Sequence, residues 1–178
     1  MTLTAAGLIW PVIAFGFPMA AIATYLILRT CWNEIGSGGD GNREVEKAHR
    51  AIAIRFVLFI VGLHVLVLLN FGGAEWLRFR GPRIVVVLFG AAFIAIGNLL
   101  PRTRPNLAFG IRTSRTLTDR SLWIRVHRTC GYVSVALGAV IVMAGLFVSG
   151  RAIGPVVAAA ALIALAVLFA TYRRLRNG

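Results

Sequence analysis

Long apolar runs alternate with short polar connections along nearly the whole of this chain. Five runs, at about 7–28, 51–71, 83–100, 129–148 and 154–172, approach the ~20 residues an α-helix needs to cross roughly 30 Å of hydrocarbon. A barrel strand would alternate every second residue, and these runs do not. Backbone groups in lipid must also be satisfied within the segment, so the runs predict helices. The expected fold is all-α, a polytopic membrane protein with a bundle of about five transmembrane helices. Residues 1–75 read as an N-terminal two-helix membrane hairpin with a Gly-rich loop. Residues 76–178 read as a three-helix membrane region whose longest polar connection is a loop at 98–131.

Charge adds an orientation. Of the 19 basic residues, fifteen flank the first connection, the third connection and the tail; only Arg78, Arg80, Arg83 and Arg151 fall on the other side. Basic flanks stay in the cytoplasm, which predicts the N-terminus out, the C-terminus in and the 98–131 loop cytoplasmic. The net charge of +13 then forms collars at helix ends, suited to anionic lipid headgroups. No groove-reading element accompanies it, so direct nucleic-acid binding is not expected. The first run lacks an initial positive charge and outlasts a signal-peptide core, so it reads as a retained span. Cys31 and Cys130 are expected to be reduced and unpaired on the cytoplasmic side. Neither a metal nor a cofactor is implied by any ligand spacing.

Few polar residues lie inside the spans. His64, well within the second, is either hydrogen-bonding glue between helices or an intramembrane functional group; packing is the preferred reading. Gly138, Gly145 and the alanines at 158–161 predict close helix packing. The composition of residues 36–42 reads as a flexible linker, with Asn42 able to cap the following helix. Arg55 can snorkel outward, and Gly154-Pro155 is expected to punctuate the last hairpin.

The third connection carries an order of residues that lipid solubility does not demand. Asn98 can close backbone groups where Pro101 stops the helix. Pro101 and Pro105 push their predecessors toward extended backbone. Asn106 can form an Asx-type turn, and Gly110 allows a backbone angle or a close approach that side chains forbid. Arg112 and Thr113 follow, with Thr116 or Thr118 as candidate helix caps. Trp123, His127 and Cys130 or Gly131 then share one helical face, while Arg128 falls elsewhere. The segment is expected to be ordered and to hug the membrane.

That order resembles the SdpI family of bacterial membrane proteins: Asn-x-x-Pro, Pro-Asn-x-x-x-Gly-Ile-Arg-Thr, Thr-Leu, a tryptophan, then His-Arg-x-x-Gly. Here these are Asn98, Pro101, Pro105, Asn106, Gly110, Ile111, Arg112, Thr113, Thr116, Leu117, Trp123, His127, Arg128 and Gly131. The resemblance covers about residues 85–150. Ser114-Arg115 replaces the family's usual Pro-Trp, and Ser121-Leu122 stands where an acidic residue is common. The resemblance implies a multi-pass protein of the bacterial cell (cytoplasmic) membrane, acting in toxin or bacteriocin immunity or membrane-linked signalling. Its implied partners are a peptide toxin and a cytoplasmic regulator, with the basic loop as docking surface. One alternative is a membrane enzyme or accessory subunit handling phosphate-bearing lipid headgroups, with Arg112, Asn106 and His127 around the phosphate. Asp119 is the loop's only carboxylate and no nucleophile–base pair is visible, so an enzyme is not expected. A small-solute or proton transporter is a second alternative, for which only His64 offers a relay.

Overall fold

The computed structural model describes residues 5–36, 43–71, 73, 75–106 and 110–177. It is all-helical over these: α1 (Ala5–Gly36), α2 (Arg43–Phe71), α3 (Glu75–Gly97), a 3-10 turn (Leu100–Arg102), a short α4 (Ser114–Thr118), α5 (Arg120–Phe147) and α6 (Gly150–Asn177). Among the described residues, four segments are long and apolar enough to cross a membrane: Val45–Phe71, Arg80–Arg102, Arg120–Phe147 and Gly150–Leu175. The first expected run is also helical, with a shorter apolar stretch at Ala14–Thr30. The chain is therefore a multi-pass membrane protein. Asn42 and the linker residues after Gly36 lie outside the described residues.

Helix α5 is the organising element. A third of its apolar window (33%) is buried, against 6% for α6, which packs mainly on α5. Its closest neighbour is the antiparallel α3, and glycine makes the approach possible. A Cβ added to Gly138 would sit 2.5 Å from Gly90 O, and one added to Gly90 would sit 2.7 Å from Gly138 O. Seven residues along, a Cβ on Gly131 would meet Gly97 O at 2.7 Å; seven the other way, one on Gly145 would meet Arg83 O at 3.3 Å. The contacts thus recur every two turns along one seam. Without a hydrophobic drive between helices in lipid, backbone proximity and dispersion hold such a pair. The small residues Gly138 and Gly145 pack as expected, and their partner is α3.

The antiparallel path gathers the third connection, the start of α2 and the end of α6 at one end of the bundle. There Ala48, His49, Ile52 and Ala53 of α2 are buried, and α2 meets the 3-10 turn. Arg55 turns its Nη1 to Ala51 O at 3.1 Å. Gly154-Pro155 does not punctuate the last hairpin. The turn lies at Val148–Ser149, where the amides of Ala152 and Ile153 both donate to Ser149 O, and Pro155 sits inside α6. Pro155, the sixth residue of α6, lacks the N–H that would bond Arg151 O, and the helix continues through it, as spanning helices tolerate proline.

Candidate functional site

The polar loop folds into a cap over the gathered end. After Gly97 the backbone tightens: Asn98 N–H donates to Ile94 O at 3.1 Å and Leu99 N–H to Ile96 O at 2.9 Å. The 3-10 turn follows, with Pro101 at its start, where a missing N–H removes no bond. Asn98 itself is exposed, and the backbone closes the helix end. Pro101 also packs on α5, since a Cβ on Gly131 would come within 2.9 Å of its Cδ. Thr103 ends the turn, its hydroxyl donating to Leu100 O at 2.7 Å and accepting from Trp123 Nε1 at 3.3 Å.

Beyond the half-buried Pro105, Asn106 is buried, and its Nδ2 donates back to Arg104 O at 2.8 Å. The forward arm of an Asx turn would fall on residues 107–109, outside the described residues. Gly110 has φ +100, the left-handed region that glycine enters without a Cβ penalty, and an added Cβ there would collide with the His127 ring. His127 is fully buried, stacked on Trp123 with centroids 3.7 Å apart and planes 14° apart. Its Nε2 lies 3.2 Å from Ile111 N and its Nδ1 2.9 Å from Trp123 O. An amide can only donate and a carbonyl only accept, so the ring is neutral with its proton on Nδ1. His127 therefore latches the loop backbone onto α5.

Threonines complete the fold. Thr113 caps α4 in a reciprocal box with Thr116: Thr116 N donates to Thr113 Oγ1 at 3.2 Å, and Thr113 N to Thr116 Oγ1 at 2.8 Å. Thr116, fully buried, also donates to Ile111 O at 2.8 Å. From the far end of the chain, the Tyr172 hydroxyl donates to Thr113 Oγ1 at 3.1 Å. Leu122, Val126 and Cys130 form the core beneath, packed by Leu100, Ile111, Leu168, Tyr172 and Leu175. Cys130 is a free thiol there; the side chain of Cys31 lies outside the described residues.

Thr116 is the third residue of α4, Thr118 ends that helix, and neither caps the helix that carries Trp123. That cap is Asp119, whose Oδ1 accepts from Ser121 N at 2.8 Å, Leu122 N at 3.0 Å and Ser121 Oγ at 2.7 Å. The backbone amide of Leu122, then the Ser121 hydroxyl, hold its carboxyl below the usual aspartate range. A depressed acid stabilises the fold above its unfolded value, about 3.9, and loses that contribution as pH falls through the lower folded value. Protection of the Ser121 and Leu122 amides, relative to their intrinsic exchange at the same pH, is expected to fall selectively on acidification below about pH 4. Asp119→Asn, which keeps the acceptor but cannot titrate, should remove that acid-dependent step; an identical acid response would exclude the cap as its source.

Sequence reasoning names Asn106, Gly110, Thr113, Trp123 and His127, and the structure brings all five into the cap. It misses Thr103 and Tyr172. A threonine between two prolines reads as a generic loop residue, and a tyrosine near a helix end reads as an interface anchor. The outward face is basic: Arg102, Arg112, Arg115, Arg120, Arg125 and Arg128 are exposed. His64 does not join the site. It stacks on Phe17 of α1, centroids 5.4 Å apart, and its buried Nδ1 has no hydrogen-bond partner, so it packs through its ring and not as hydrogen-bonding glue.

Residues 102–172 match the model of the SdpI/YfhL protein family, the family that the motif order resembles. The matched segment runs from the 3-10 turn, through the cap and α5, to the tyrosine that clasps Thr113. No curated protein and no solved structure matches the chain.

Proposed function

We propose that this SdpI-like membrane protein acts in toxin or bacteriocin immunity, or in the membrane-linked signalling that accompanies it, through its basic cap. The observation that carries this reading is a division of labour within the matched segment. Asn106, Trp123 and His127 are buried and, with Gly110 and Thr113, tie the loop to the bundle, while six arginines are exposed. A preorganised surface of guanidinium groups recognises carboxylate-rich or phosphate-bearing partners without a large ordering cost. An acidic face on a cytoplasmic regulator is the partner it fits.

A lipid-modifying enzyme is less well supported. Both ring nitrogens of His127 are engaged by backbone, and Asp119 is committed to starting α5. A transporter would need an intramembrane relay, and His64 is stacked against an aromatic ring.

The test is complementation. Deleting the gene should sensitise the host to a peptide toxin, and the wild-type chain should restore tolerance. Arg112→Ala should reach the membrane at normal levels yet restore tolerance roughly tenfold less well, the scale of one lost charge-assisted contact. Full rescue by Arg112→Ala would take the basic face out of the mechanism.

A further inference from the structure

At the end of the bundle opposite the cap, α3 and α5 enclose a cleft of about 670 Å³ lined by Arg80, Arg83, Ile84, Val87, Gly145 and Leu146. Two of these six are arginines and none is acidic. Arg80 and Arg83 stand one helical turn apart and so share a face of α3. Below them the walls are aliphatic. Gly145 brings α5 up to the Arg83 backbone, leaving the exposed Leu146 as the outer lip.

The cleft has a definite depth. The apolar segment Arg80–Arg102 is bracketed by arginines; its 18 α-helical residues up to Gly97 rise about 27 Å, close to the ~30 Å hydrocarbon thickness, before the 3-10 turn that carries Arg102. With Arg102 in one headgroup layer, Arg80 and Arg83 stand in the other, on the side that most of the chain's basic residues avoid. Two guanidinium groups at phosphate level above an aliphatic trough match the two halves of one molecule. We propose that this cleft seats a single anionic phospholipid, its phosphodiester held between Arg80 and Arg83 and one acyl chain lying along Ile84, Val87 and Leu146.

Planar guanidinium forks bind phosphate oxygens in pairs, whereas an arginine that merely snorkels needs no particular lipid. The seat is independent of the cap and of the role proposed for it.

Native mass spectrometry of the detergent-purified full chain, titrated with phosphatidylglycerol or phosphatidylcholine, tests the proposal. The first lipid bound should favour phosphatidylglycerol about tenfold, as expected for two nearby basic residues. Arg80→Gln with Arg83→Gln should bring that ratio close to one. Leu146→Trp, which fills the trough from an exposed position, should weaken the first binding step while leaving both arginines in place. Arg120→Gln with Arg125→Gln, at the opposite end, should leave the first step unchanged. Equal binding of the two lipids by the wild type would overturn the seat. So would a preference that survives the loss of Arg80 and Arg83, is indifferent to Leu146→Trp, or disappears with Arg120 and Arg125.

Discussion

Gly138→Leu should prevent the bundle from closing, with a loss of more than about 3 kcal/mol and little folded protein recovered from the membrane. The Cβ alone would sit 2.5 Å from Gly90 O, 2.8 Å from Ile94 Cγ1 and 2.9 Å from Ile94 N. Two of those atoms are backbone, so no rotamer change relieves the contact. The helices would have to part by roughly 1 Å to restore ordinary van der Waals spacing, and dispersion falls steeply over that distance. The separation would propagate, because Gly97 against Gly131 and Gly145 against Arg83 belong to the same seam. Helix propensity acts in the opposite direction, favouring any replacement of a mid-helix glycine by up to about 1 kcal/mol. Gly154→Leu is the matched control: Gly154 has open space around it, so its variant should be neutral or slightly stabilised. Thermal unfolding in detergent compares the two, and equal Tm values would refute the seam as the main tie between α3 and α5.

His127→Ala should cost about 2–4 kcal/mol and release the loop locally. The ring is fully buried, accepts from Ile111 N and lies flat on Trp123. Its removal leaves a cavity, a buried amide with no acceptor and an indole with no stacking partner, effects of ~1–3 kcal/mol for the amide and ~0.5–1.5 for the stack. Trp123 O keeps its helical bond, so the damage concentrates on the loop. Hydrogen exchange should quicken at Ile111 and Thr113 well beyond any change in the middle of α5. His127→Gln, which can present an oxygen toward Ile111, should recover part of the protection. Unchanged exchange at Ile111 in the alanine variant would mean that the latch does not hold the loop.

The helical class and the approximate position of every span follow from hydrophobic runs, because lipid leaves the backbone no alternative. Helix ends follow less well. The polar starts of α2 at Arg43 and of α5 at Arg120 accord with helices that begin before their apolar runs, whereas the last hairpin turns at Val148–Ser149 and not at Gly154-Pro155. The cap's inward face is legible where residue type forces conformation, as at Pro101 and Gly110, and where helical period aligns side chains, as at Trp123 and His127. Pairings between distant segments are not legible in this way. Gly138 announces a close neighbour without saying which helix supplies it, and Tyr172 carries no local sign of Thr113. Asn98 shows the converse error: its amide can close a helix end, but the backbone does so first.

The clasp between Tyr172 and Thr113 also sets a timetable. The two residues are 59 positions apart, so Thr113 leaves the ribosome long before its partner exists. At about 5–20 residues per second, the loop waits roughly 3–12 seconds while α5 and α6 are made. During that interval its threonine box and histidine latch can form, but the α6 side of its core is missing. Completion of the cap therefore has to wait until α6 has been made and packed.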